Sequence, residues 1–367
     1  MAEEAKGTLK YLKAENIFIE TSYENSNPPL ENISIDDEGV CNIFQRFEEG
    51  ASSGYSFHLN VAFINENLKP SRIKLRIHWG ETEYDFCRDY MYVGYDSGTA
   101  WRMITIPCDK SISEFEIIVP RGRHLLCCSP KFDNGDYRLL LEKYQDTPNF
   151  KIMEIAETPE KRKISCFKLG AGNGNKVIIT TRAHGYETSG AYCIKGLLAD
   201  FVRNSQEYEE FLRKYQLYIF PMLNPDAVAA GNCCISTSGV NFGKDLGDKH
   251  SHLKDKTTKT LTEFIMHLKP AYYLDMHNNT GPHLADSFRS NSLELLEIFS
   301  VLAPDMSVQQ KMWNIYKKDF NSERLMVMCH EKFSTDYMLT EFPWYCRLPE
   351  DMEEFGIKFF RTLFKIF

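Results

Sequence analysis

The sequence predicts an antiparallel β-sandwich domain over residues 1–145. An α/β domain follows over 146–367, built on a mostly parallel or mixed sheet with helices on both faces. Three observations carry that prediction. The first third holds short runs that alternate polar and apolar residues between Gly and Pro turns. The remainder alternates nearly all-apolar runs with helix-like runs. Two of those apolar runs lead directly into a histidine.

In chain order, Tyr55–Phe63 and Arg72–Trp79 alternate, and Met91–Tyr95, Trp101–Ile106 and Glu114–Val119 continue the pattern. Many short strands separated by turns make an antiparallel sandwich. Asp136–Tyr144, with three consecutive leucines, reads as a short helix linking the two halves. Lys176–Thr181 (KVIITT) is apolar enough for a strand buried on both faces, and Ser189–Val202 follows as a helix. Leu217–Phe220 is the next strand, and the helix Leu261–Leu268 stops at Pro270. Ala271–Met276 is another strand. Met352, Phe355, Phe359, Leu363 and Phe364 recur at helical spacing over Asp351–Phe367, a packing helix.

Bulk properties narrow the function. At 367 residues the chain has room for about two domains with cores of their own. A formal charge of −8 gives no general phosphate-binding surface, so no nucleic-acid partner is expected. The 11 cysteines form no C-x-x-C pair, and most lie in apolar runs (Cys108, Cys127, Cys166, Cys193) where a thiol acts as a small hydrophobe. The first 16 residues lack an apolar signal core, and no apolar run approaches the ~20 residues that cross a bilayer. The expectation is a reduced, cytoplasmic protein without membrane association.

The chemistry concentrates at strand ends. In open α/β sheets, ligands bind outside the carboxyl ends of the strands. KVIITT runs through Arg182 and Ala183 into His184, and AYYLDM runs into His277. Glu187 lies three residues beyond His184. Two imidazoles and a carboxylate are a ligand set for one catalytic Zn2+, with a fourth position left for water. Taken singly, His184 is a strand-end residue bonded to a loop and Glu187 a charge suited to a helix N-terminus. Their shared place at the sheet edge favours the metal. His250-x-His252 lies in a charged, solvated loop, and neither His283 nor His330 has a carboxylate at ligand spacing. Gly170-x-Gly172-x-Gly174 precedes a strand, so it is a turn and not a dinucleotide fingerprint.

Arg182–Gly196 (RAHGYETSGAYCIKG), Phe220–Asp226 (FPMLNPD) and Asp275-Met276-His277 resemble the zinc carboxypeptidases. Within that family the chain is most similar to the cytosolic branch, whose catalytic domain follows a β-sandwich. His124–Tyr144 resembles the segment joining the two. The resemblance implies a zinc-carboxypeptidase-like fold with His184, Glu187 and His277 as the ligands of one zinc. It also implies that Glu341, within Tyr337–Phe342, is the general base that takes a proton from the attacking water.

Other positions depart from the family pattern. Its carbonyl-polarising Arg falls on Cys234, its carboxylate-gripping Asn-Arg pair on Gly243-Lys244, and its acidic partner of the first His on Asn241. Lys244 and Arg182 are the substrate-binding candidates, Arg289 is a further cation, and Tyr316 is the candidate for the family's catalytic-loop tyrosine. The implied function is hydrolysis of a C-terminal peptide or isopeptide bond in a peptide or small amide substrate, acidic ones included. One alternative is a zinc deacylase of small N-acyl amino acids, which His184-Gly185 and His277-Asn278-Asn279-Thr280 also resemble. The other is a catalytically silent binding protein of the same fold.

Overall fold

Ile17–Glu20, Ser71–His78 and Ile112–Val119 alternate buried with more exposed residues in the first of two compact units. The computed structural model describes residues 10–12, 16–46, 48, 58–79, 89–107, 111–170, 174–247, 255–278, 286–296, 308–312 and 324–367. Among these, the first unit comprises the chain up to Asp133 together with Val228–Cys233, and the second begins at Asn134. The first unit contains β1 (Lys10–Leu12), β2 (Ile17–Glu20), β3 (Ile33–Ile35), β4 (Cys41–Phe44) and β5 (Asn60–Asn65). It continues with β6 (Ser71–His78), β7 (Tyr90–Tyr95), β8 (Ala100–Thr105), β9 (Ile112–Val119) and β10 (Gly122–Cys127). One sheet runs β1-β2-β5-β10-β7-β8, the other β3-β4-β6-β9.

Inward residues of both sheets, among them Ile17, Ile43, Val61, Phe63, Ile73, Leu75, Ile77, Met91 and Val93, make one apolar core. All pairings are antiparallel except β4 with β6, a departure from the wholly antiparallel expectation. The sequence also hides β10 as a strand. It is central to its sheet, with Leu126 in the main core and Leu125 and Cys127 packed with Ala62 in a second cluster. A strand buried on both faces shows no alternation. Of the expected strand at 55–63, residues 55–57 lie outside the described residues.

The second unit is a mixed sheet of β11 (Phe150–Glu157), β12 (Lys163–Leu169), β13 (Asn175–Thr181), β14 (Tyr215–Phe220), β15 (Tyr272–His277), β16 (Asp286–Ser290), β17 (Val308–Met312) and β18 (Asp336–Glu341). The order is β11-β12-β14-β13-β15-β18-β16-β17, and β14-β13-β15-β18 form its parallel centre. The main helices are α1 (Asn134–Tyr144), α2 (Ser189–Arg203), α3 (Lys256–Leu268), α4 (Leu325–Phe333) and α5 (Pro349–Ile366). Leu261 and Ile265 of α3, with Leu325 and Val327 of α4, pack on one face against Ile178, Tyr218, Tyr273 and Tyr337.

Helix α2 covers the other face, close enough that a Cβ on Gly190 would stand 2.2 Å from Thr181 Oγ1. Where α2 meets α5, Gly196 abuts the Glu353 carbonyl and Gly356 abuts Cys193. The predicted linker helix α1 belongs to this unit. It buries Tyr137, Leu140 and Tyr144, and the Tyr137 hydroxyl accepts from Ser165 N at 2.8 Å.

Candidate metal centre

Strand register sets where the site residues fall. β13 and β15 pair from Val177↔Tyr272 to Thr181↔Met276, and β15 and β18 from Tyr272↔Asp336 to His277↔Glu341. His277 and Glu341 therefore end neighbouring strands at the carboxyl edge of the sheet. Past Thr181 the chain turns through Arg182 at φ 59°. Asn224 secures this turn. Its N–H donates to the Arg182 carbonyl at 3.0 Å and its amide to the Ala183 carbonyl at 3.2 Å. Asp226 of the same NPD run accepts from Thr158 Oγ1 and Arg162 Nη1, each at 2.8 Å. The NPD run is thus a buttress for the loop that carries the first ligand.

The three ligand candidates converge. His184 Nδ1 lies 2.9 Å from Glu187 Oε1, and His277 Nδ1 lies 2.9 Å from Glu187 Oε2. One ligand atom from each residue lies within 4.8 Å of the other two. The outer ring nitrogens have separate acceptors. His184 Nε2 donates to Asn241 Oδ1 at 3.1 Å, and His277 Nε2 to Asp275 Oδ2 at 3.0 Å. Asp275 is itself fixed by the Thr180 hydroxyl at 2.7 Å. With each Nε2 committed outward, Nδ1 is the atom each ring turns to an ion.

Electrostatics follow the geometry. Burial alone would raise the Glu187 carboxyl, yet the two imidazoles hold it far below the ordinary carboxylate range. Burial would likewise lower His277, but Glu187 and Asp275 together lift it well above the usual imidazole value. The proton this favours on His277 is one that a divalent cation would displace. Loss of hydration pushes Glu341 up to about 7; Glu187 adds to the rise, while His277, Arg289 and His184 oppose it. A donor set of two imidazoles and one carboxylate, with both rings oriented from behind, fits one zinc with an open coordination position.

The remaining expected residues fall in different places. Arg182 is completely buried, so it offers no surface to a substrate. Lys244 is exposed on a one-turn helix, Phe242–Asp245. Beside it, a Cβ on Gly243 would stand 2.6 Å from His184 Nε2, so the ring requires glycine there. Cys234 is buried. Arg289 lies opposite Leu339 of β18. The His330 ring is bonded to the Thr335 carbonyl at 2.9 Å. His250, His252, His283 and Tyr316 lie outside the described residues.

Sequence reasoning missed two supports. Asp275 orients His277, and its signal is the D-x-H spacing, which puts both side chains on one face of a strand. Asn278 Oδ1 accepts from Ser189 N at 3.0 Å and ties the His277 strand end to the start of α2.

Residues 137–234 match the family model described as zinc carboxypeptidase, a segment that contains His184 and Glu187 and ends before His277 and Glu341. Cytosolic carboxypeptidase 1 of Xenopus laevis is 31% identical over 108 residues, or 28% of this chain and 9% of that protein. Cytosolic carboxypeptidase 2 of Xenopus tropicalis is 30% identical over 123 residues, or 32% of this chain and 12% of that protein. The chain thus spans a small fraction of the length of these relatives. A metallo-carboxypeptidase structure from Burkholderia cenocepacia superposes with a TM-score of 0.82 at 15% identity, covering 96% of this chain and 98% of the other. One from Pseudomonas aeruginosa, solved with (2-guanidinoethylmercapto)succinic acid, gives 0.79 at 14% identity, covering 95% and 98%. The fold is that of the metallo-carboxypeptidases. By fold and matched segment, the chain is zinc-carboxypeptidase-like.

Proposed function

We propose that this chain is a zinc-dependent hydrolase that removes a C-terminal residue by cleaving a peptide or isopeptide bond. The observation that carries this reading is the convergence of His184, Glu187 and His277 beside Glu341 at the ends of adjacent strands. Zinc held by those three residues would act as a Lewis acid, lowering the pKa of its water to around 7 and polarising the scissile carbonyl. Glu341 in its ionised form takes the proton of the attacking water and passes it to the departing amine. Lys244 neutralises a carboxylate of the substrate as a point charge, without the two-pronged grip of an arginine. The relatives named cytosolic support a cytoplasmic setting, and no described helix is long and apolar enough to cross a membrane.

The test uses zinc-loaded full-length protein on peptides with free, amidated and D-configured C-termini, on isopeptides and on N-acyl amino acids. Release of the terminal residue is expected, and Glu341→Gln should keep zinc while losing about 100-fold or more in rate. Turnover confined to N-acyl amino acids would replace this reading with the deacylase. A zinc-loaded protein inert to the whole panel would leave a binding fold.

A further inference from the structure

Thr188 follows the ligand candidate Glu187 and stands at the N-cap of α2, whose first residue is Ser189. A threonine there ordinarily turns its oxygen onto an N–H of the first helical turn. This one makes no such bond. The helix start is served from outside, where Asn278 Oδ1 accepts from Ser189 N at 3.0 Å. The Thr188 hydroxyl accepts instead from Trp344 Nε1 at 2.9 Å, and both residues are buried.

Trp344 lies three residues past Glu341, in a segment fixed at both ends. Phe342 N donates to the His277 carbonyl at 2.9 Å. Arg347 N donates to the Trp344 carbonyl at 2.9 Å, and the Arg347 guanidinium grips Asp286 through two bonds of 2.6 Å each. The indole also meets the Tyr192 ring edge-on, with centroids 5.3 Å apart. The segment that leaves the Glu341 strand thus reaches across to the residue beside Glu187. His277 ends a strand, whereas Glu187 lies in neither strand nor helix and gains no support from a ladder.

We infer that Trp344 is a positioning residue for the metal centre: its indole N–H pins Thr188 and so holds the Glu187 carboxylate between the two imidazoles. This inference rests on the zinc reading of the site. The backbone at Thr188 has φ −91° and ψ −17°, a helical conformation, whereas a capping threonine is extended. Once released from the indole, the Thr188 oxygen competes for the open N–H groups of α2. Reaching them swings the backbone at Thr188 toward the extended region, and Glu187 swings with it. Supports behind metal ligands influence affinity by about 10–100-fold, and one that acts through the neighbouring residue belongs at the lower end.

The experiment measures zinc affinity of the full chain by competition with a chromophoric chelator, alongside the Co2+ absorption spectrum and unfolding of the metal-free protein. Trp344→Phe keeps a ring against Tyr192 and removes the donor. It should weaken zinc by about tenfold and shift the Co2+ bands. Thr188→Val should do the same, and the two together should lose little more than either alone. Thr188→Ser keeps the acceptor and should stay within about threefold of wild type. A purely structural bond would lower metal-free stability alone. Zinc affinity within about threefold of wild type and unchanged Co2+ bands for Trp344→Phe would therefore overturn the inference while leaving the zinc reading intact. So would losses that add fully in the double variant. If Trp344→Phe does not fold, Thr188→Val set against Thr188→Ser decides by the same readouts. A wild-type chain that binds neither metal would overturn the zinc reading itself.

Discussion

The metal-holding side of the site and the side that would face a substrate are built on different foundations. His277 and Glu341 owe their positions to the register of a parallel ladder, and His184 to a turn secured by Asn224. Lys244 sits on a single helical turn, and its neighbour Gly243 is dictated by the ring it touches. A sheet edge fixes side chains through many mutually supporting bonds. A short turn can change its side chains, subject only to what packs beneath it. The contrast implies that side chains on the turn can change while those fixed by the sheet edge stay in place.

Several changes would break or sharpen that contrast. The largest effect is expected from Gly243→Ala. Its methyl group would force the His184 ring off its position, and zinc should bind about 10–100-fold more weakly in a folded protein, as a chelator titration would report. Unaltered affinity would show that the turn yields more easily than the ring.

Next comes pH. The His277 pKa is raised in the metal-free protein, so its proton is present below that value and absent above it. One proton must leave before Nδ1 can bind. Apparent zinc affinity should therefore fall by about tenfold for each pH unit below the His277 pKa and level off above it. A flat profile across the acidic range would remove His277 from the ligand set.

A smaller change should follow Asn241→Asp. His277 is backed by a carboxylate and His184 by an amide. Giving His184 a carboxylate as well should tighten zinc by up to about tenfold, measured by the same titration. Gly196→Ala should not alter zinc affinity at all. Its methyl would meet the Glu353 carbonyl at 2.2 Å, costing about 1–3 kcal/mol of stability in denaturant unfolding.

Much of this was legible before any coordinates. Alternation revealed β6 and β9 because each is buried on one face, Gly and Pro turns bounded β7 and β8, and the apolar runs revealed β13 and β15 at the sheet centre. The ligand candidates stood out because the strands stop where their chemistry starts. What remained hidden depends on contacts across the chain. The glycine requirement at position 243 comes from a ring 59 residues earlier in the sequence, and no local pattern announces it. Arg182 read as a spare cation because charge suggests exposure, whereas its side chain is completely buried. Helix α1 read as a linker because it follows the turn signal Pro130–Gly135 between the two halves, although its tyrosines are buried in the second unit.

The most direct test is X-ray diffraction from crystals grown with zinc, recorded on both sides of the zinc absorption edge. The account predicts one anomalous peak about 2.0–2.2 Å from Nδ1 of His184, Nδ1 of His277 and a carboxylate oxygen of Glu187. No peak among those three atoms, or a zinc ion held by other residues, would contradict it.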